Sequence, residues 1–205
     1  MNLRDHNMRA NIAETAARLI IEGGIRDYQL AKRKAAERLG VMDRGSLPTN
    51  IEIEEAVALY QRLFRAESQP QKLAELRQAA MEAMGFLAQF DPRLTGAVLV
   101  GTADEHSYVE LHLFTDAPEE VAMFLLEHGI AFEHGEKRLR LSQDEQRYFP
   151  AYRFLAGDTP IELLIMPDRS RRQPPLSPIT GKALRRLTLA KLRRFLAREA
   201  KTATE

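Results

Sequence analysis

Glu110 and His112 stand two residues apart in Tyr108-Val-Glu-Leu-His-Leu-Phe114, where apolar and polar residues alternate. Alternate residues of a strand point to one face, so the two side chains share a face that a neighbouring strand can complete. Glu162 is the candidate for that completion, because it interrupts the apolar run Ile161-Glu-Leu-Leu-Ile-Met166 and a buried carboxylate needs a partner. Polar groups gathered in this way can share a divalent cation. The same alternation also suits a half-exposed sheet with Glu110 and His112 turned to water and Val109, Leu111 and Leu113 turned inward. A second chemical candidate is Gly101-Thr102, which closes the apolar run Gly96-Ala-Val-Leu-Val-Gly101. Its amides and hydroxyl could meet a phosphate, or it could be an ordinary strand-ending turn.

The elements that position these residues follow from periodicity. Helical spacing over 11–21 ends at Gly23-Gly24, and a second helix over 28–39 carries Leu30, Ala31, Ala35 and Leu39 on one face before Gly40. Residues 43–48 read as a loop. Asn50 then caps a third helix bearing Ile53, Val57, Tyr60, Leu63 and Phe64, and Ser68-Gln69-Pro70 breaks it. A fourth helix over 71–90 carries Leu73, Leu76, Ala80, Met84 and Leu87. After Asp91-Pro92 the pattern changes to strands over 96–101 and 108–114, a helix opened by Pro118 and acidic residues, and further strands over 130–133, 137–141, 152–155 and 160–166. A proline-rich arm over 167–178 leads to a final helix over 181–198 with Leu184, Leu187, Leu192, Phe195 and Leu196 inward. The expected fold class is α+β: a helical region over 1–90 packs on a small mixed β-sheet over 91–168, closed by a basic arm and C-terminal helix over 169–205.

The order helix, strand, glycine loop, strand, then a later strand with Glu162 resembles the polymerase-β-type nucleotidyltransferase superfamily over roughly 71–166. In that family a glycine and a serine after the first strand hold a nucleoside triphosphate, and a pair of acidic residues on the next strand holds divalent metal. The resemblance implies Gly101 and Thr102 as phosphate contacts, and Glu110, His112 and Glu162 as catalytic and metal-holding residues for Mg or Mn. Glu110 stands where the family places an aspartate and His112 where it places the second carboxylate, so the motif is degenerate. The whole chain also resembles a group of proteobacterial proteins carried under a nucleotidyltransferase label, through Ala31-Lys-Arg-Lys34-Ala-Ala, Gly101-Thr-Ala, Leu113-Phe-Thr-Asp116 and Pro174-Pro-Leu-Ser-Pro178. The function expected is transfer of a nucleotide to an acceptor. The alternative is an inactive adaptor of the same fold that binds nucleic acid or a protein partner through its basic C-terminal helix and helical N-terminal region.

Thirty basic residues against twenty-nine acidic ones give a net charge of +1, but eleven lysines and arginines between Arg169 and Lys201 face one acidic residue, Glu199. Arg169, Arg171 and Arg172 in the arm could grip the phosphates of a nucleotide or an RNA, as could Lys182, Arg185, Arg186, Arg193 and Arg194 beyond it. The plainer reading docks the last helix by its leucines and leaves the arginines in water. His6, His106, His128 and His134 lack ligand spacing and read as scattered surface residues. No cysteine is present, so disulfides, thiolate zinc sites and cysteine nucleophiles are excluded. Charges recur through the first thirty residues and no long apolar run follows, so neither a signal peptide nor a membrane span is expected, and the expected location is the cytoplasm.

Overall fold

The structure, a computed structural model, describes residues 3–41 and 47–202. Most of the loop expected over 43–48 lies outside them. The fold is α+β, and the chain forms two compact units: Met1–Lys72 with Asp104–Ser107 and Pro178–Gly181, and Leu73–Ala103 with Tyr108–Ser177 and Lys182–Glu205. No described helix is long and apolar enough to cross a membrane.

In the first unit α1 (Leu3–Ile21), α2 (Tyr28–Arg38) and α3 (Asn50–Phe64) bury their apolar stripes together. Ile12, Ala16, Ala31, Ala35 and Ile53 are wholly excluded from water. Side chains set the helix starts. The Asp27 carboxylate accepts from the amides of Gln29 and Leu30, at 2.7 and 3.1 Å. Thr49 and Glu52 form a reciprocal capping box, which makes Thr49 rather than Asn50 the cap of α3. Asn50 instead donates its Nδ2 to the Pro178 carbonyl at 2.7 Å. Leu63 and Phe64, expected on the inner face, are exposed near the end of α3.

Helix α4 (Ser68–Phe86) begins earlier than its sequence suggests, because Pro70 falls in its first turn, where the missing amide costs no hydrogen bond. A short 3-10 turn, Ala88–Phe90, then leads to β1 (Arg93–Thr95). The expected strand over 96–101 is not a strand: Gly96–Val100 forms the short helix α5. Gly96 takes φ +72°, which ends β1 after three residues, and a five-residue apolar run has no period that separates a buried turn of helix from a strand.

The sheet contains β1, β2 (Val109–Phe114), β3 (Glu133–Arg140), β4 (Gln146–Ala156) and β5 (Thr159–Met166) in the order β1-β2-β5-β4-β3. Only the central β2–β5 pair is parallel; the other three pairs are antiparallel. The strands expected over 130–133 and 137–141 are replaced by one, β3, with Gly135 inside it opposite Ala151, and β4 runs well beyond the expected 152–155. One face carries Leu94, Leu111, Leu113, Leu163 and Ile165, and packs against α4, α5, α6 (Pro118–Glu127) and the last helix, α7 (Leu189–Thr202). Helix α7 starts eight residues later than expected. Ahead of it the backbone of Leu187 exchanges two hydrogen bonds with Leu94, at 2.9 and 3.0 Å, and prolongs the sheet past β1.

Candidate functional site

Parallel register between β2 and β5 sets Glu110 beside Glu162, His112 beside Leu164 and Phe114 beside Met166, all on the face away from the large core. Antiparallel register then adds Arg153 of β4 opposite Glu162, and Arg93 and Thr95 of β1 opposite His112 and Glu110. The sequence expectation that Glu110, His112 and Glu162 share one sheet face is met by this topology. Glu162 is 4% exposed, so its charge requires compensation within the fold.

That compensation comes from the hairpin. The Lys137 ammonium donates to Glu110 Oε2 at 2.8 Å and also to Glu162 Oε2, and Arg153 Nε donates to Glu162 Oε1 at 2.8 Å. Burial works against the charge of both partners, yet the two carboxylates raise the Lys137 pKa, and Lys137 and Arg153 together hold Glu162 below the usual carboxylate range. Lys137 and Arg153 are the site residues that sequence reasoning missed. A signal was available: the one carboxylate in an apolar strand must meet a cation, and the hairpin preceding that strand supplies lysine and arginine on alternating positions.

His112 is 3% exposed, and its Nδ1 has no hydrogen-bond partner. Burial first, and then the charges of Arg186 and Lys137, push its pKa down to about 3, so the ring is neutral at ordinary pH. Among the described residues no group of three or more His, Asp or Glu side chains is placed to hold a metal ion. The ammonium of Lys137 lies between the two carboxylates and supplies the cation that they share. The residues assigned by resemblance to Mg or Mn therefore do not fit such an ion as they stand.

The expected phosphate loop closes a short helix. The amides of Gly101 and Thr102 both donate to the Ala97 carbonyl, at 2.8 and 3.1 Å, and close the end of α5. The glycine that ends the first strand is Gly96, and a Cβ built there would lie 2.5 Å from Glu110 Oε1. Of the arm residues, Arg169 and Arg172 are exposed around the 3-10 turn Asp168–Arg171, whereas Arg171 binds Asp168 and Asp91. This turn follows the end of β5, four residues beyond Glu162, or about 13 Å at strand rise. The structure thus groups Arg171 with Phe114 and Met166 rather than with Glu110.

No family model, curated protein or solved structure matches this chain.

Proposed function

We propose that this chain is a nucleotidyltransferase-like protein whose carboxylate pair is closed by its own lysine, and that it acts by binding nucleic acid rather than by metal-dependent nucleotide transfer. The observation that carries the reading is the Lys137 ammonium held by both Glu110 and Glu162. The element order α4, β1, α5, β2, α6, β5 supports the fold resemblance, with Gly96 in the role first given to Gly101. For the nucleic-acid side, α7 buries Leu192 and packs Phe195 and Leu196 on the core while Lys191, Arg193 and Arg194 are exposed. Such a face attracts phosphates without reading bases, and its affinity falls with salt.

The test is titration with nucleoside triphosphates in magnesium, manganese and EDTA, beside anisotropy with a labelled RNA over a salt series. The reading expects nucleotide affinity to be unchanged by divalent metal. It also expects RNA affinity that weakens with salt, with a shallower slope in Arg193→Ala/Arg194→Ala. Metal-dependent nucleotide binding that disappears in Glu110→Ala would restore the transferase reading, and absence of RNA binding at low salt would remove the adaptor.

A further inference from the structure

We propose that Arg93, Arg171 and Arg186, gathered round Phe114 with His112 beside them, form a binding site for a phosphate-class oxyanion. The site uses neither of the carboxylates that hold the Lys137 ammonium and no residue of α7, so it stands or falls separately from the reading above.

The three guanidinium carbons lie 6.0, 5.6 and 5.2 Å from the centre of the Phe114 ring, for Arg93, Arg171 and Arg186 respectively. A neutral ring offers each a weak attraction but no counter-charge. The carboxylates present serve two of the three. Asp91 Oδ2 accepts from Arg93 and from Arg171, each at 2.7 Å, and Asp168 Oδ1 accepts from Arg171 at 2.8 Å. Arg186 has no carboxylate partner among the described residues. Its Nη2 donates to the carbonyls of Ser170 and Arg171, both at 3.0 Å, and its Nη1 reaches only the Met166 sulfur at 4.0 Å. Burial and the neighbouring Arg93 push its pKa down to about 10, as expected of a cation held next to another without an anion between them.

A second observation concerns the residue in register with Arg93. His112, in register with Arg93 across β1 and β2, keeps Nδ1 buried without a partner. A buried polar atom of this kind carries a desolvation cost that a ligand can relieve. Guanidinium forks match the paired oxygens of phosphate, and three cations against two carboxylates leave the place of one anion open. Arg171 is 37% exposed and Arg93 20%, so the cluster is reached from solvent.

The experiment titrates the full chain with inorganic phosphate, pyrophosphate and ATP, all in EDTA, with acetate as the comparison anion. Resonances of the Met166 methyl and the Phe114 ring are followed by NMR. Saturable shifts there with phosphate and pyrophosphate, none with acetate, and none at the exposed Met123 methyl of α6 are expected. Pyrophosphate and ATP binding with equal affinity would mark the phosphoryl group as what is read, and tighter ATP binding would mark a nucleotide as the source; both support the site. Arg186→Met should weaken pyrophosphate binding at least about tenfold, the scale of a lost charge-assisted hydrogen bond, and Arg186→Lys should fall between. Absence of binding, shifts spread over Met123 as over Met166, or undiminished affinity in folded Arg186→Met would overturn the proposal. Should Arg186→Met fail to fold, the wild-type shift pattern decides.

Discussion

Gly96, the first residue of α5, and Glu110 of β2 are in such close approach that a Cβ on the glycine would lie 2.5 Å from the carboxylate oxygen and 2.9 Å from its carbon. Since the glycine also holds φ +72°, Gly96→Ala meets both backbone strain and a clash that displaces Glu110 from Lys137. Gly157, at φ +59° with nothing within 4 Å of a built Cβ, meets strain alone. Gly157→Ala is expected to cost about 1 kcal/mol and Gly96→Ala about 2–4 kcal/mol. Urea denaturation of the two variants checks this, and equal costs would remove the packing argument.

Lys137→Met leaves Glu162 buried with Arg153 as its remaining cation. Loss of one partner from a fully buried pair costs about 3–5 kcal/mol, and the one-third exposure of Lys137 with the retained arginine brings the expectation to about 2 kcal/mol. With the ammonium gone, the two carboxylates repel, so millimolar manganese should raise the melting temperature of Lys137→Met and leave the wild type unchanged. A wild-type rise equal to the variant's would show that Lys137 does not neutralise the pair.

His112 makes the sheet unit acid-sensitive. Unfolded, its imidazole binds a proton near 6.5; folded, it stays neutral to about 3, so the unfolded state holds more protons between these values. Stability is therefore complete above about 6.5 and falls with pH below it, by up to about 1.4 kcal/mol per unit. Glu162, held below its ordinary value, adds a loss of the same sign at lower pH, whereas Lys137, held above its ordinary value, withdraws its contribution only in alkali. Hydrogen exchange of β2 amides at a series of pH values should show the slope in the wild type and a flatter one between 6.5 and 5 in His112→Gln.

Leu94 is wholly buried and its backbone joins β1 to the segment ahead of α7. Leu94→Ala should cost about 2–5 kcal/mol, the usual range for a cavity in a packed core. Leu155→Ala, at a side chain 68% exposed, should change stability by less than about 0.5 kcal/mol. Denaturation of both variants compares them directly.

Strand alternation puts Glu110 and His112 on one face, and the apolar run marks Glu162 as a carboxylate that needs a partner, because both are local properties of the chain; that Glu162 lies beside Glu110 follows only from the parallel register of β2 and β5. The partners of those residues were not legible. Lys137 meets Glu110 through pairing across twenty-seven residues, and only the sheet order brings them together. The sequence reads Gly101 as the strand-ending glycine because the apolar run from Gly96 to Gly101 has no period of its own; what decides its form is the pairing of Arg93, Leu94 and Thr95 with β2. The helix stripes of Ile12, Ala16, Ala35, Leu76 and Met84 were readable for the opposite reason, since amphipathic helices declare themselves within a few turns.

The parallel pairing of β2 with β5 spans a loop of more than forty residues, and loop-closure entropy favours forming the short hairpins that join β3, β4 and β5 ahead of it. Until it closes, Ile161-Glu-Leu-Leu-Ile-Met166 is an open edge whose only charge is Glu162. A carboxylate on such an edge would oppose strand-to-strand aggregation. On the finished sheet that edge is covered, and Lys137 and Arg153 are the cations that receive the buried charge.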